Sequence, residues 1–182
     1  MDRPASPDLR GKRLGVAAGM AAGFAVTLLA LLWPGRPSGP SDTGARLSNW
    51  LACDLAAALW LALAVGRLAR HRFFSDDDID GALGPGTDRA NILQSLVQNT
   101  LEQTVLAAVA YGAWLLVPWP DAPIATAWIA VGCFSVGRLL FFLGYSRGAA
   151  ARALGFALTF YPTVGLLLAS AIRLLAPHPG LS

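Results

Sequence analysis

The chain has 182 residues, 55% of them hydrophobic and only 14% charged, with a mean hydropathy of +0.52. Soluble domains carry about a quarter charged residues, so the shortfall and the long apolar runs exclude an ordinary soluble domain and point to an integral membrane protein. The net charge is +3, with thirteen Arg and one Lys; these gather at the ends of apolar runs, and no basic stripe interleaved with aromatics suggests nucleic acid.

Residues 1–11 are polar and basic. Lys12 to Trp33 is an apolar run of about 22 residues, long enough to span a bilayer. A cleaved leader would also begin with Arg3, Arg10, Lys12 and Arg13. The run exceeds the roughly 7–15 residues of a leader and no A-x-A site follows, so we read a retained span. Its Gly15, Gly19 and Gly23, spaced by four, suit close packing against another helix. Pro34 to Arg46, with three Pro and three Gly, reads as an external loop.

Leu47 to about Leu68 is the second span, interrupted by Asp54. It runs into R-L-A-R-H-R-F-F-S-D-D-D-I-D at 67–80, a basic edge followed by an acidic segment. The acidic part lacks the alternating ligands of a calcium loop and reads as a solvated connection. Asn91–Val117 is the third span, closed by P-W-P at 118–120, with Trp114 and Trp119 suited to an interfacial belt. Ala122 to about Tyr145 is the fourth, with Arg138 inside it. Ser146–Ala151 is a tight basic turn, and Arg152 to Leu175 is the fifth span, with Pro162 in its interior. Ala176–Ser182 is a Pro-rich tail. Cys53 and Cys133 lie in apolar spans and read as small buried residues. His71 and His178 show no metal-ligand spacing, and we expect no metal site.

Placing the N-terminus in the cytoplasm puts ten basic residues inside, three (Arg36, Arg46, Arg173) outside, and Arg138 within the membrane. With this orientation the polar stretch Gln94–Gln103, Q-S-L-V-Q-N-T-L-E-Q, falls in the inner half of the bilayer. Glu102, the only Glu in the chain, sits about 16 Å up the third helix from Asn91. Ser95, Asn99 and Glu102 share one helical face. Arg138 lies about 10 Å from the inner end of the fourth span. Tyr145, Arg152 and Arg67 lie near the same boundary, whereas Asp54 falls in the outer half. A carboxylate within a span marks a functional site by default. Glu102 and Arg138 are the natural buried pair. The pair reads either as a clamp between helices or as part of a site for a zwitterionic, carboxylate-bearing ligand.

The residues N-T-L-E at 99–102, V-G-R-L-L-F-F-L-G-Y at 136–145 and A-R-A-L-G-F-A-L-T-F-Y-P at 151–162 carry a resemblance. From about Leu51 to Leu175 the sequence resembles the MAPEG family, the membrane-associated proteins in eicosanoid and glutathione metabolism, as a bacterial-type member. The resemblance implies four-helix protomers assembled as a homotrimer, with glutathione as the thiol co-substrate. It implies that Arg67, Asn99, Glu102, Arg138 and Tyr145 bind glutathione and that Arg152 stabilises its thiolate. Ser95, Gln98 and Phe156 stand where characterised members often carry Arg, a cation and Tyr.

The expected protein is therefore all-α, an integral membrane helical bundle with a four-helix MAPEG-like core over 47–176. An extra transmembrane helix lies within 1–46, and a tail follows at 177–182. The expected setting is the inner membrane, multi-pass, with membrane lipid around it and the N-terminus cytoplasmic. The expected activity is a glutathione-dependent transferase or peroxidase acting on a lipophilic small-molecule electrophile. The alternative is a non-enzymatic protein of the same fold that binds a lipid or another thiol, with Glu102–Arg138 as a structural pair. A small transporter is a third reading, but no internal repeat is evident.

Overall fold

The computed structural model describes residues 9–32, 42–81, 84–117 and 123–176. The loop around Pro37, the P-W-P segment with Trp119, and His178 with the tail lie outside the described residues. Five helices follow one another: α1 Leu9–Leu31, α2 Thr43–Phe73, α3 Asp88–Leu116, α4 Ile124–Gly144 and α5 Ala149–Leu175. A 3-10 turn, Tyr145–Arg147, joins the last two. Among the described residues there is no strand.

Caps and end charges explain where the helices begin and stop. Asp42 accepts from Ala45 N at 2.8 Å, so α2 starts at Thr43, four residues before the apolar run does. Its last turn holds Arg70, His71 and Arg72. Cations suit the negative end of a helix, so the basic edge is helical up to Phe73 instead of forming a loop. Thr87 Oγ1 accepts from Ala90 N at 3.2 Å and opens α3. At the other end of α3, Arg46 donates to Leu115 O at 2.6 Å and Val117 O at 3.0 Å, satisfying carbonyls a helix C-terminus leaves unpaired.

α1, α2, α4 and α5 are each long and apolar enough to cross a membrane. α3 is not among them, because its first half carries Asn91, Gln94, Ser95, Gln98, Asn99, Glu102 and Gln103. It nevertheless lies antiparallel along α2. Arg46 and Trp50 of α2 bond the far end of α3, the latter to Ala108 O at 3.4 Å, and Arg72 bonds Gln94 at the near end at 3.2 Å. α3 therefore covers the same depth as α2 and crosses with it. The protein is a multi-pass membrane bundle.

α4 and α5 run antiparallel at glycine contacts. A Cβ on Gly155 would meet the Phe141 backbone nitrogen, and one on Gly137 would stand 2.6 Å from Thr159 Oγ1. α1 runs parallel to α5, so both start on the same side. The core falls into two apolar clusters. One surrounds Cys53, Tyr111, Leu115, Phe134 and Leu166. The other holds Leu68, Leu93, Leu96 and Phe141.

The acidic connection departs from its expected solvated state at one position. Asp76, Asp77 and Asp80 are exposed, but Asp78 is 2% exposed. Its carboxylate accepts from Thr87 N at 2.8 Å, Thr87 Oγ1 at 2.7 Å and Ser75 Oγ at 3.0 Å, and it meets His71 Nε2 at 2.9 Å. The Thr87 amide and hydroxyl, with help from Ser75 and His71, hold its pKa down at about 2. This carboxylate ties the end of α2 to the start of α3.

Candidate functional site

Arg138 sits in the bundle with 0% exposure, between the two apolar clusters. Its guanidinium lies 4.6 Å from the Phe141 ring centre and 5.8 Å from that of Phe134. Nη1 donates to Asn99 Oδ1 at 2.9 Å; Nε and Nη2 donate to Thr159 Oγ1 at 3.2 and 3.0 Å. Thr159 in turn donates to Gly155 O at 2.8 Å. One side chain on α4 thus ties α3 to α5. Among the described residues it meets no carboxylate, so a formal cation is held by neutral oxygens and ring faces.

The expected Glu102–Arg138 pair is not formed within the chain. Glu102 is exposed on the outward side of α3 and accepts from Gln98 Nε2 at 2.9 Å. Leu101, Val105 and Val109 are exposed beside it. The physical reason is helical phase. Asn99 is half-buried at the edge of the α3 face that buries Leu96, Thr100 and Gln103, and Glu102, three residues on, stands about 60° further round, clear of that face, by the approximately 100° per residue of an α-helix. The buried Arg takes the amide, and the carboxylate is left outside.

A cleft of about 420 Å3 opens beside this tie, lined by Asn99, Tyr145, Arg152, Phe156, Val16 and Met20, among others. The Arg152 guanidinium lies 4.5 Å from the centre of the Tyr145 ring. Arg152 is the fourth residue of α5 and not its first, because the helix begins at Ala149 behind Gly148. Gly148 has φ +99°, a left-handed backbone that favours glycine. No side chain caps α5, and its first turn holds no acid. Among the described residues no carboxylate pairs with Arg152, so it and the leading N–H groups present positive charge of the kind that suits an anion.

The other expected residues divide. Arg138 is buried behind the lining and reaches it through its bond to Asn99 and its contact with the Phe141 ring. Arg67 is exposed, 5.5 Å from the Phe142 ring centre. It lines a separate cleft of about 420 Å3 with Arg89 and Phe142, which also reaches Tyr145. Tyr145 therefore stands between the two clefts. Asp54 remains apart, half-buried, with Oδ1 unpartnered among the described residues. Sequence reasoning missed Thr159, although it stands inside a quoted motif; a hydroxyl that can back-bond its own helix gives no separate signal. It also missed Val16 and Met20, which look like any apolar residues of a span.

No curated protein and no solved structure matches the chain at a significant level. The model of the MAPEG family matches residues 48–172, from the first turns of α2 to the last turn of α5, leaving α1 outside. With more than two thirds of its length so matched, and with the all-helical membrane bundle described above, the chain belongs to the MAPEG family.

Proposed function

We propose that this protein is a glutathione-dependent membrane transferase or peroxidase whose second substrate is a lipophilic electrophile reaching it from the bilayer. The observation that carries the proposal is the pairing of Arg152 with the uncapped start of α5 at a cleft that also offers Tyr145 and Asn99. A free thiol has a pKa near 8.5, and an adjacent cation lowers it and enriches the thiolate nucleophile at neutral pH. In transfer, the thiol proton goes to solvent and the sulfur bonds the electrophilic carbon. The leaving group departs with its electron pair, or, in an addition, the product is protonated. Arg152 is the residue for the thiolate. Tyr145 and Asn99 supply hydrogen bonds to the peptide part of glutathione, and Arg138 positions Asn99. Membership of the family supports glutathione as the thiol.

Glu102 and Arg67 enter through assembly. An ionised side chain at mid-bilayer costs roughly 2.5–3.5 kcal/mol even by the lenient insertion scales. Glu102 on an outward apolar face is therefore best explained by a neighbouring copy covering it, and we assign the homotrimer on this ground together with the family. Glu102 would meet the glutathione amine and Arg67 a carboxylate across that boundary. The basic ends of the helices support an inner-membrane setting with the N-terminus in the cytoplasm.

The test is thermal unfolding of detergent-purified protein across a glutathione titration. A ligand of the native state stabilises by about 2.7 kcal/mol at a hundred times its Kd. We expect a saturable rise in Tm that Arg152→Ala removes. No rise at millimolar glutathione defeats the proposal and leaves the non-enzymatic reading.

A further inference from the structure

We infer that α1, the helix outside the family match, forms the apolar wall of the thiol cleft, and that Val16 and Met20 receive the hydrophobic body of the second substrate. The inference rests on the thiol-cleft reading above and extends it to substrate choice.

The seating of α1 is specific. Gly15, Gly19 and Gly23, spaced by four, meet Ala150, Ala153 and Ala157 of α5. A Cβ on Gly15 would stand 2.8 Å from the Ala150 Cβ, and one on Gly19 2.9 Å from that of Ala153; on Gly23 it would overlap Ala157. Small residues on both sides let the two backbones approach and fix their register. Phe24 continues the contact edge-to-face on Tyr161, with ring centres 5.3 Å apart.

This register places the neighbours of the glycine stripe at the cleft. Val16 and Met20, one turn apart on one face of α1, line it together with Arg152, Ala153 and Phe156. The cleft thus joins two chemistries. Arg152, Tyr145 and Asn99 suit a polar thiol compound, whereas Val16, Met20 and Phe156 offer only apolar surface. A thiol held at Arg152 would have its reaction partner against α1. Met is unbranched and adapts to irregular shapes, so the wall suits alkyl or aryl groups of varied outline. The other side of α1 carries Leu14 and Leu29, exposed at 64% and 70%, which belongs to the lipid.

The experiment uses the full chain and S-alkyl glutathiones of increasing length, S-methyl to S-hexyl, with binding read from the Tm shift. In the native protein each methylene buried on the wall raises affinity by up to about fourfold. Met20→Trp should fill the wall and abolish the rise with chain length. Met20→Ala, which folds with less risk, should flatten the rise. Leu29→Trp, on the lipid side, should leave it unchanged. A rise that persists in both Met20 variants, or no rise in the native chain, overturns the wall while leaving the thiol cleft standing. If neither glutathione nor any derivative shifts the native Tm, the thiol reading has failed first and the wall falls with it.

Discussion

Arg138 Nη1 donates to Asn99 Oδ1 at 2.9 Å, and this bond decides which end of the Asn99 amide is left for the cleft. With the oxygen engaged, Nδ2 remains the donor of a residue that lines the cleft. A residue with no surface of its own therefore acts on the site through its neighbour.

Arg138→Lys should separate charge from geometry. A lysine keeps the cation but has no planar fork to reach Asn99 and Thr159 together. We expect weaker thiol stabilisation with the bundle still folded. Thr159→Val removes the shared acceptor of Nε and Nη2 and should cost about 2 kcal/mol, the scale of a buried hydrogen bond to a charged group. Unfolding in mixed detergent micelles measures both. A Thr159→Val loss near zero would mean the guanidinium finds other partners.

Glycine substitutions should split by location. Gly155→Ala places a methyl group on the Phe141 backbone nitrogen, so α4 and α5 must separate. The expected loss is about 1–3 kcal/mol, typical of overpacking. A Cβ on Gly132, in the same pair of helices, would meet nothing within 4 Å. Gly132→Ala should be neutral or stabilising by up to about 1 kcal/mol through helix propensity. Equal effects at the two sites would contradict the close approach.

The bundle is legible in the sequence because its signal is simple. Apolar runs of spanning length announce helices α1, α2, α4 and α5, and the polar stretch at 94–103 does not hide α3. Helix ends are less legible. Thr43 and Asp88 follow caps, and Arg70–Arg72 prolong α2 by charge at its C-terminus, none of which shows in apolar content. The partnership of Arg138 is easily misread because opposite charge is the strongest cue for pairing that a sequence offers. Helical phase overrides it by turning Asn99 inward and Glu102 out. The position of α1 on α5 depends on two small-residue stripes far apart in the chain. Gly15, Gly19 and Gly23 announce one of them, while Ala150, Ala153 and Ala157 are lost among the many alanines of α5.

Acid should loosen the α2–α3 connection through Asp78. Its folded pKa, about 2, lies below the ordinary carboxylate value near 3.9. Folding thus favours the ionised form, and the contribution is fully present above about pH 4 and lost as pH falls toward about 2. Unfolding measured down this range should show a decline that Asp78→Asn reduces. A variant as acid-sensitive as the native protein would place the titration on other carboxylates.

Glu102 tests assembly. Among the described residues of one chain it bonds only Gln98, on the same helix, so Glu102→Gln removes no contact described between helices. Such an exposed pair contributes about 0.5 kcal/mol or less. If a neighbouring copy covers this face, the substitution should leave the secondary structure intact while weakening subunit association and thiol-dependent stabilisation together. Native mass spectrometry in detergent reads the first and the glutathione Tm shift reads the second. Glu102→Leu sharpens the comparison, since a lipid-facing position should gain stability from the apolar residue, whereas a position covered by protein and ligand should lose both association and thiol binding. Unchanged association with a more stable chain would return this face to the lipid.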